Sequence, residues 1–101
     1  MRLQIKRLTN TAILPKYANP GDAGMDLFSD EAFTLQPGER KTIKTGIALA
    51  LPPHHVGLVW DKSSVPSKFG VHCRAGVIDE SYRGEVQILM INHASSPQTF
   101  E

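Results

Sequence analysis

A chain of 101 residues has room for one small domain, expected to span residues 1–101. Its formal net charge of +1, with acids and bases interspersed, gives no electrostatic case for nucleic acid or a membrane surface as partner. A single cysteine excludes an internal disulfide, and the N-terminal Met1-Arg2-Leu3-Gln4-Ile5-Lys6-Arg7 has no apolar run that reads as a signal peptide or span, so a cytoplasmic protein is expected.

Apolar residues come in short runs broken by proline and glycine. Leu3 and Ile5 alternate with polar neighbours, as does Thr42-Ile43-Lys44-Thr45-Gly46-Ile47-Ala48-Leu49. Phe33-Thr34-Leu35 leads into Gln36-Pro37-Gly38-Glu39, a turn with proline before glycine. Val56-Gly57-Leu58-Val59-Trp60 follows Pro52-Pro53, and only Ser63-Ser64-Val65-Pro66-Ser67-Lys68-Phe69 reads as a turn of helix. There Ser63 or Ser64 is the N-cap, with Pro66 tolerated in the first turn. Further on, Ala75-Gly76-Val77-Ile78 climbs to Asp79, a short turn carries Tyr82 and Gly84, and Val86-Gln87-Ile88-Leu89-Met90-Ile91 resumes. Two β-prone runs about a glycine-containing turn predict a hairpin. Short strands and regular turns predict an all-β sandwich or barrel.

Three segments offer chemistry. Ala23-Gly24-Met25-Asp26-Leu27, after Asn19-Pro20-Gly21-Asp22, reads alone as a loop with a self-bonded carboxylate. Asp61-Lys62-Ser63-Ser64 sets a cation and two hydroxyls at a helix start, where free N–H groups favour phosphate oxygens, although alone it is an ordinary exposed cap. In the third, Asp79 is either a positioned base or a turn carboxylate, and Tyr82 either a ligand contact or cross-strand packing. His54-His55 and His72-Cys73 supply no recognisable zinc set.

In this order the three segments resemble the motifs of the trimeric dUTPases, the deoxyuridine triphosphate diphosphatases. The resemblance implies a β jelly roll assembled as a homotrimer with active sites between subunits. It also implies magnesium-assisted attack of water on dUTP, giving dUMP and diphosphate. On it, Asp79 holds and activates the water, and Lys62, Ser63 and Ser64 contact phosphate. Gly76, Val77 and Ile78 read the uracil edge through their backbone, Tyr82 lies against the deoxyribose, and Asp26 supports the metal through water.

Lys62 stands where the family commonly has arginine, Cys73 where some members place asparagine, and Ser81 where a second acid is frequent. Family members continue into a glutamine-bearing strand and a glycine-rich arm, whereas this sequence stops at Pro97-Gln98-Thr99-Phe100-Glu101. The expected fold therefore lacks that last strand and arm. Two other functions fit the same residues. One is a dCTP deaminase-like enzyme, which shares motifs like Ser63-Ser64 and Asp79. The other is a shortened, non-catalytic module that binds nucleotide or a partner.

Overall fold

The computed structural model describes residues 2–100. Eight strands and one short helix follow in the order β1 (Gln4–Arg7), β2 (Phe33–Leu35), β3 (Arg40–Ala50), β4 (Gly57–Leu58), α1 (Ser64–Phe69), β5 (Val71–Arg74), β6 (Val77–Ile78), β7 (Glu85–Asn92) and β8 (Gln98–Phe100). Among the described residues no helix is long and apolar enough to cross a membrane.

The main sheet has the order β1-β3-β7-β5, and every pairing in it is antiparallel. Its long central strand β3 contains the alternating stretch from Thr42 to Leu49, extended at both ends. The register of β3 on β7 shifts between Lys44 and Ala48. At that irregularity Thr45 is buried and its hydroxyl donates to the Val86 carbonyl at 2.5 Å. A buried hydroxyl must find such a partner or destabilise the fold.

Two apolar clusters lie against this sheet. Phe33, Leu35, Ile43 and Val71 form one, joined by Val65, Met90 and Phe100. Ala12, Ile47 and Val86 form the other, joined by Ile5, Leu27, Leu49, Ile78 and Ile88. Val65 and Ile78 are the two anchors that position functional segments: the first fixes α1, the second fixes β6.

Two readings of the sequence need correction. The runs before and after Asp79 do not form a hairpin with each other. β6 pairs with β4, while β7 is flanked by β3 and β5. The cause is local. Ala75 and Gly76 have φ of 57° and 131°, which turns the chain out of the main sheet immediately after β5. The reading also placed no strand beyond Asn92, yet β8 pairs with β2, and Phe100 stacks on Phe33 at 5.0 Å between centroids. Asn92 holds this corner: fully buried, it donates to the carbonyls of Leu35 and Ser96 at 2.9 and 3.0 Å.

Candidate active site

Asp26 sits in an otherwise irregular loop that is tied down by a single bridge to Lys16, with backbone bonds in both directions. Its carboxylate does not bond its own loop. One oxygen accepts from the Lys62 ammonium at 2.9 Å, across 36 residues of sequence. The first and second motifs therefore meet at one point. Lys62 remains well exposed beside the more buried Asp26, so the pair is worth little to stability and the ammonium is free to swing to another anion.

Ser63 occupies the N-cap position of α1, but with helical φ and ψ of −52° and −32° and no side-chain capping bond. The expected hydroxyl cap is thus absent, and the Ser63 hydroxyl is not committed to the helix. Ser64 begins α1, no acid stands in the first turn, and Pro66 lies within the helix. Of the amides at the helix start, the Val65 N–H donates to the Lys62 carbonyl at 2.8 Å and Pro66 has none.

The third motif is built from strand alternation. Ile78 packs into the second apolar cluster, so its neighbours Val77 and Asp79 project the other way and are exposed. β6 pairs on one side only, with β4, in the register Gly57–Ile78 and Leu58–Val77. On its other edge β6 has no strand partner, while the Gly76 carbonyl is taken by the Val59 N–H. Asp79 ends the strand and opens a turn in which its carbonyl accepts from the Tyr82 N–H at 3.0 Å. The Tyr82 ring is 46% exposed and its hydroxyl donates to the Glu85 carbonyl at 2.7 Å. Asp79 and Tyr82 therefore belong to one rigid turn.

Residues that the motif reading did not single out join these segments. The Val59 N–H donates to the Gly76 carbonyl at 2.7 Å, and the Cys73 N–H donates to the Asp61 carboxylate at 2.6 Å. Both bonds tie the loop before Lys62 to the strands before Asp79. Asp61 belongs to the segment Asp61-Lys62-Ser63-Ser64, but nothing in the sequence spacing marks Cys73 as its partner. Burial, and then the Asp61 carboxylate, push the Cys73 thiol up to about 11. Its thiol lies 3.8 Å from the Val59 carbonyl. The Glu80 carboxylate accepts from the His54 N–H at 2.8 Å, so that loop too is pinned to the turn. Among the described residues no hydrogen bond links Asp79 to Asp26 or Lys62, and no three His, Cys, Asp or Glu side chains cluster as metal ligands.

A family model described as dUTPase matches residues 10–101. A deoxyuridine 5′-triphosphate nucleotidohydrolase from Clostridium kluyveri is 49% identical over 94 residues, covering 91% of this chain and 66% of that protein. Among solved structures, the dUTPase of Staphylococcus bacteriophage 80alpha with dUPNHPP gives a TM-score of 0.87 at 38% identity, over 91% of this chain and 54% of that one. A mutant dUTPase from phage phi11 of S. aureus, which coordinates a structural Mg(II) ion, gives 0.88 at 37% identity, over 93% and 61%. This chain thus spans less than two thirds of the length of each of these proteins. The structural likeness extends over the strands described above and establishes the all-β jelly roll.

Proposed function

The chain belongs to the dUTPase family, and from that premise we propose that it serves hydrolysis of dUTP to dUMP and diphosphate by attack of water on the α-phosphorus. The observation that carries the proposal is the contact of Asp26 with Lys62, which joins two distant motifs into one polar site beside α1.

Each group has a task suited to its surroundings. Asp79 is exposed at the end of an anchored strand, where its carboxylate orients water and receives its proton. Lys62 supplies positive charge to phosphate oxygens, and the uncommitted Ser63 hydroxyl, with Ser64 beside it, donates to them. The edge of Gly76-Val77-Ile78 that faces away from β4 offers its backbone groups to a uracil edge, as a sheet edge does to an added strand, with the Gly76 carbonyl itself held by Val59. The ring of Tyr82 lies against deoxyribose and crowds out a 2′-hydroxyl.

Magnesium fits here in one way. With no ligand cluster among the described residues, a single partly buried carboxylate, Asp26, suits an ion that keeps its waters and is held by substrate phosphates. When bound, it would neutralise phosphate charge during the displacement. Lys62 occupies only one oxygen of Asp26, and the other would support the ion's water shell.

We further place the 101-residue stretch as one domain of a cytoplasmic homotrimer. The apolar surface supports assembly: Trp60 is 80% exposed, Val77 68% and Leu58 57%, with Leu58 and Val77 directly opposite on the β4–β6 ribbon. Such clustering of bare apolar side chains marks an interface. Assembly also accounts for the lack of a bond between Asp79 and the Lys62 side, since the two halves would meet across subunits. The matched family and relatives favour dUTP hydrolysis over deamination.

The test is release of diphosphate from dUTP, with ammonia from dCTP measured in parallel. Asp79→Asn should lower kcat by about a hundredfold or more and leave dUMP affinity unchanged, because an amide is nearly isosteric but a poor base. Near wild-type turnover in Asp79→Asn, or ammonia as the product, would refute the reading.

A further inference from the structure

We propose that Gly84 is a specificity-determining position, kept free of a side chain so that the Tyr82 ring is strapped across it onto β7. The inference rests on the proposed contact of Tyr82 with the sugar.

A Cβ added at Gly84 would stand 2.8 Å from Tyr82 Oη, 2.9 Å from Cζ and 3.2 Å from Cε1. The backbone of Gly84 is not in the left-handed region. The position thus excludes a side chain because the ring occupies its space, not because of backbone geometry. The ring itself is held at one further point, its hydroxyl, and the turn that carries it is tied at others. The Tyr82 backbone N–H donates to the Asp79 carbonyl. The Tyr82 hydroxyl donates to the carbonyl of Glu85, the first residue of β7. The Glu85 carboxylate in turn accepts from the Gly46 N–H at 3.0 Å, fixing that residue to β3. Arg83 stiffens the same turn by donating to the carbonyls of Glu80 and Tyr82 at 2.6 and 3.2 Å.

Rejection of one added hydroxyl by crowding needs a wall that does not yield. A ring free to rotate would move aside for a ribose, and the preference would fall. The strap over Gly84 and the bond to the sheet remove that freedom before any nucleotide arrives. The exposed aromatic thereby becomes a fixed surface.

The experiment compares dUMP with UMP binding by calorimetry in wild type, Tyr82→Ala, Gly84→Ala and Tyr82→Phe. Crowding against a single hydroxyl supports a preference on the order of a hundredfold. Tyr82→Ala should abolish most of it. Gly84→Ala should cut it about tenfold with the ring still present, and Tyr82→Phe, which loses only the bond to Glu85, about threefold. Thermal denaturation gives a second readout. Gly84→Ala should lower Tm in the wild-type background but not beside Tyr82→Ala, where nothing fills the space. If Tyr82→Ala loses the preference and Gly84→Ala keeps it, the strap is refuted while the sugar contact stands. If neither variant changes it, the sugar contact itself is wrong. An equal loss of Tm with and without the ring would also overturn the proposal.

Discussion

Replacing Gly76 by alanine should break the joint between the loop before Lys62 and the strand β6. The added Cβ would lie 2.6 Å from the Val59 carbonyl oxygen, a backbone atom that has no rotamer to escape into. The φ of +131° adds strain of about 1–3 kcal/mol for any residue with a side chain. Relieving the overlap separates the chain from Val59 and gives up the 2.7 Å bond between Val59 N–H and Gly76 carbonyl, about 1 kcal/mol more. The sum is about 2–4 kcal/mol, which in a domain of this size lowers Tm by roughly 10–25 °C. Two other glycines serve as controls. Gly38, at φ +78°, has nothing within 4 Å, so Gly38→Ala carries the backbone term alone, about 1 kcal/mol or 5 °C. Gly24 has open space and no positive φ, so Gly24→Ala should leave Tm unchanged or slightly raised. Circular dichroism melts at one protein concentration provide the measurement. A Gly76→Ala midpoint within about 3 °C of Gly38→Ala would show that the Val59 contact does not matter.

Lys62→Met should change stability by less than about 1 kcal/mol, because the ion pair with Asp26 is largely solvated. Its affinity for a non-hydrolysable dUTP analogue should nevertheless fall about tenfold or more, while Lys62→Arg retains it; equal affinities in titration calorimetry would remove Lys62 from the site. The Cys73 thiol, pushed up to about 11, should alkylate with iodoacetamide at pH 8 at about a tenth of a free thiol's rate or less. Asp61→Asn should speed that reaction by removing the carboxylate, and an unchanged rate would break the link between them. Since folding favours the neutral thiol, this contribution to stability is intact below the ordinary value of 9.0 and is lost as pH rises through about 11.

What could be read from the sequence was local. The alternation marks the first part of β3, where buried Ile43 and Thr45 alternate with exposed Thr42 and Lys44, but from Thr45 to Ala48 every residue is buried across the register shift. Phe33-Thr34-Leu35 shows the same pattern in three residues, buried at both ends and exposed in the middle. Val71-His72-Cys73-Arg74 hides β5, since its one fully buried side chain gives no period to detect. Pairing was beyond reach for another reason. β6 lies next to β7 in sequence but pairs with β4, and only the φ values of Ala75 and Gly76 redirect it. The site behaved likewise. Asp79 and Tyr82 are close in sequence and share a turn. Asp26 and Lys62 are 36 residues apart, and only the family resemblance put them together before the fold did. Gly84 and Glu85 sat in plain view as part of a turn, but no pattern in the sequence shows which ring a missing side chain leaves room for.

The placement of the site follows from how unevenly this fold is held. The two apolar clusters draw on the main sheet through Ile43, Ile47, Val71 and Val86. β4 and β6 pair over only two residues each, too little for a ribbon to be stable alone. Ile78 in the core, the Val59–Gly76 bond and the Asp61–Cys73 bond keep it in place from one side. Its other side carries bare Leu58 and Val77 and the unpaired edge that would receive the base. On the proposed function, a neighbouring subunit covering the first and a nucleotide pairing with the second would both stabilise the same weak element. Each would then remove part of the ordering cost that the other meets, and the prediction is that assembly and nucleotide binding are coupled through the ribbon.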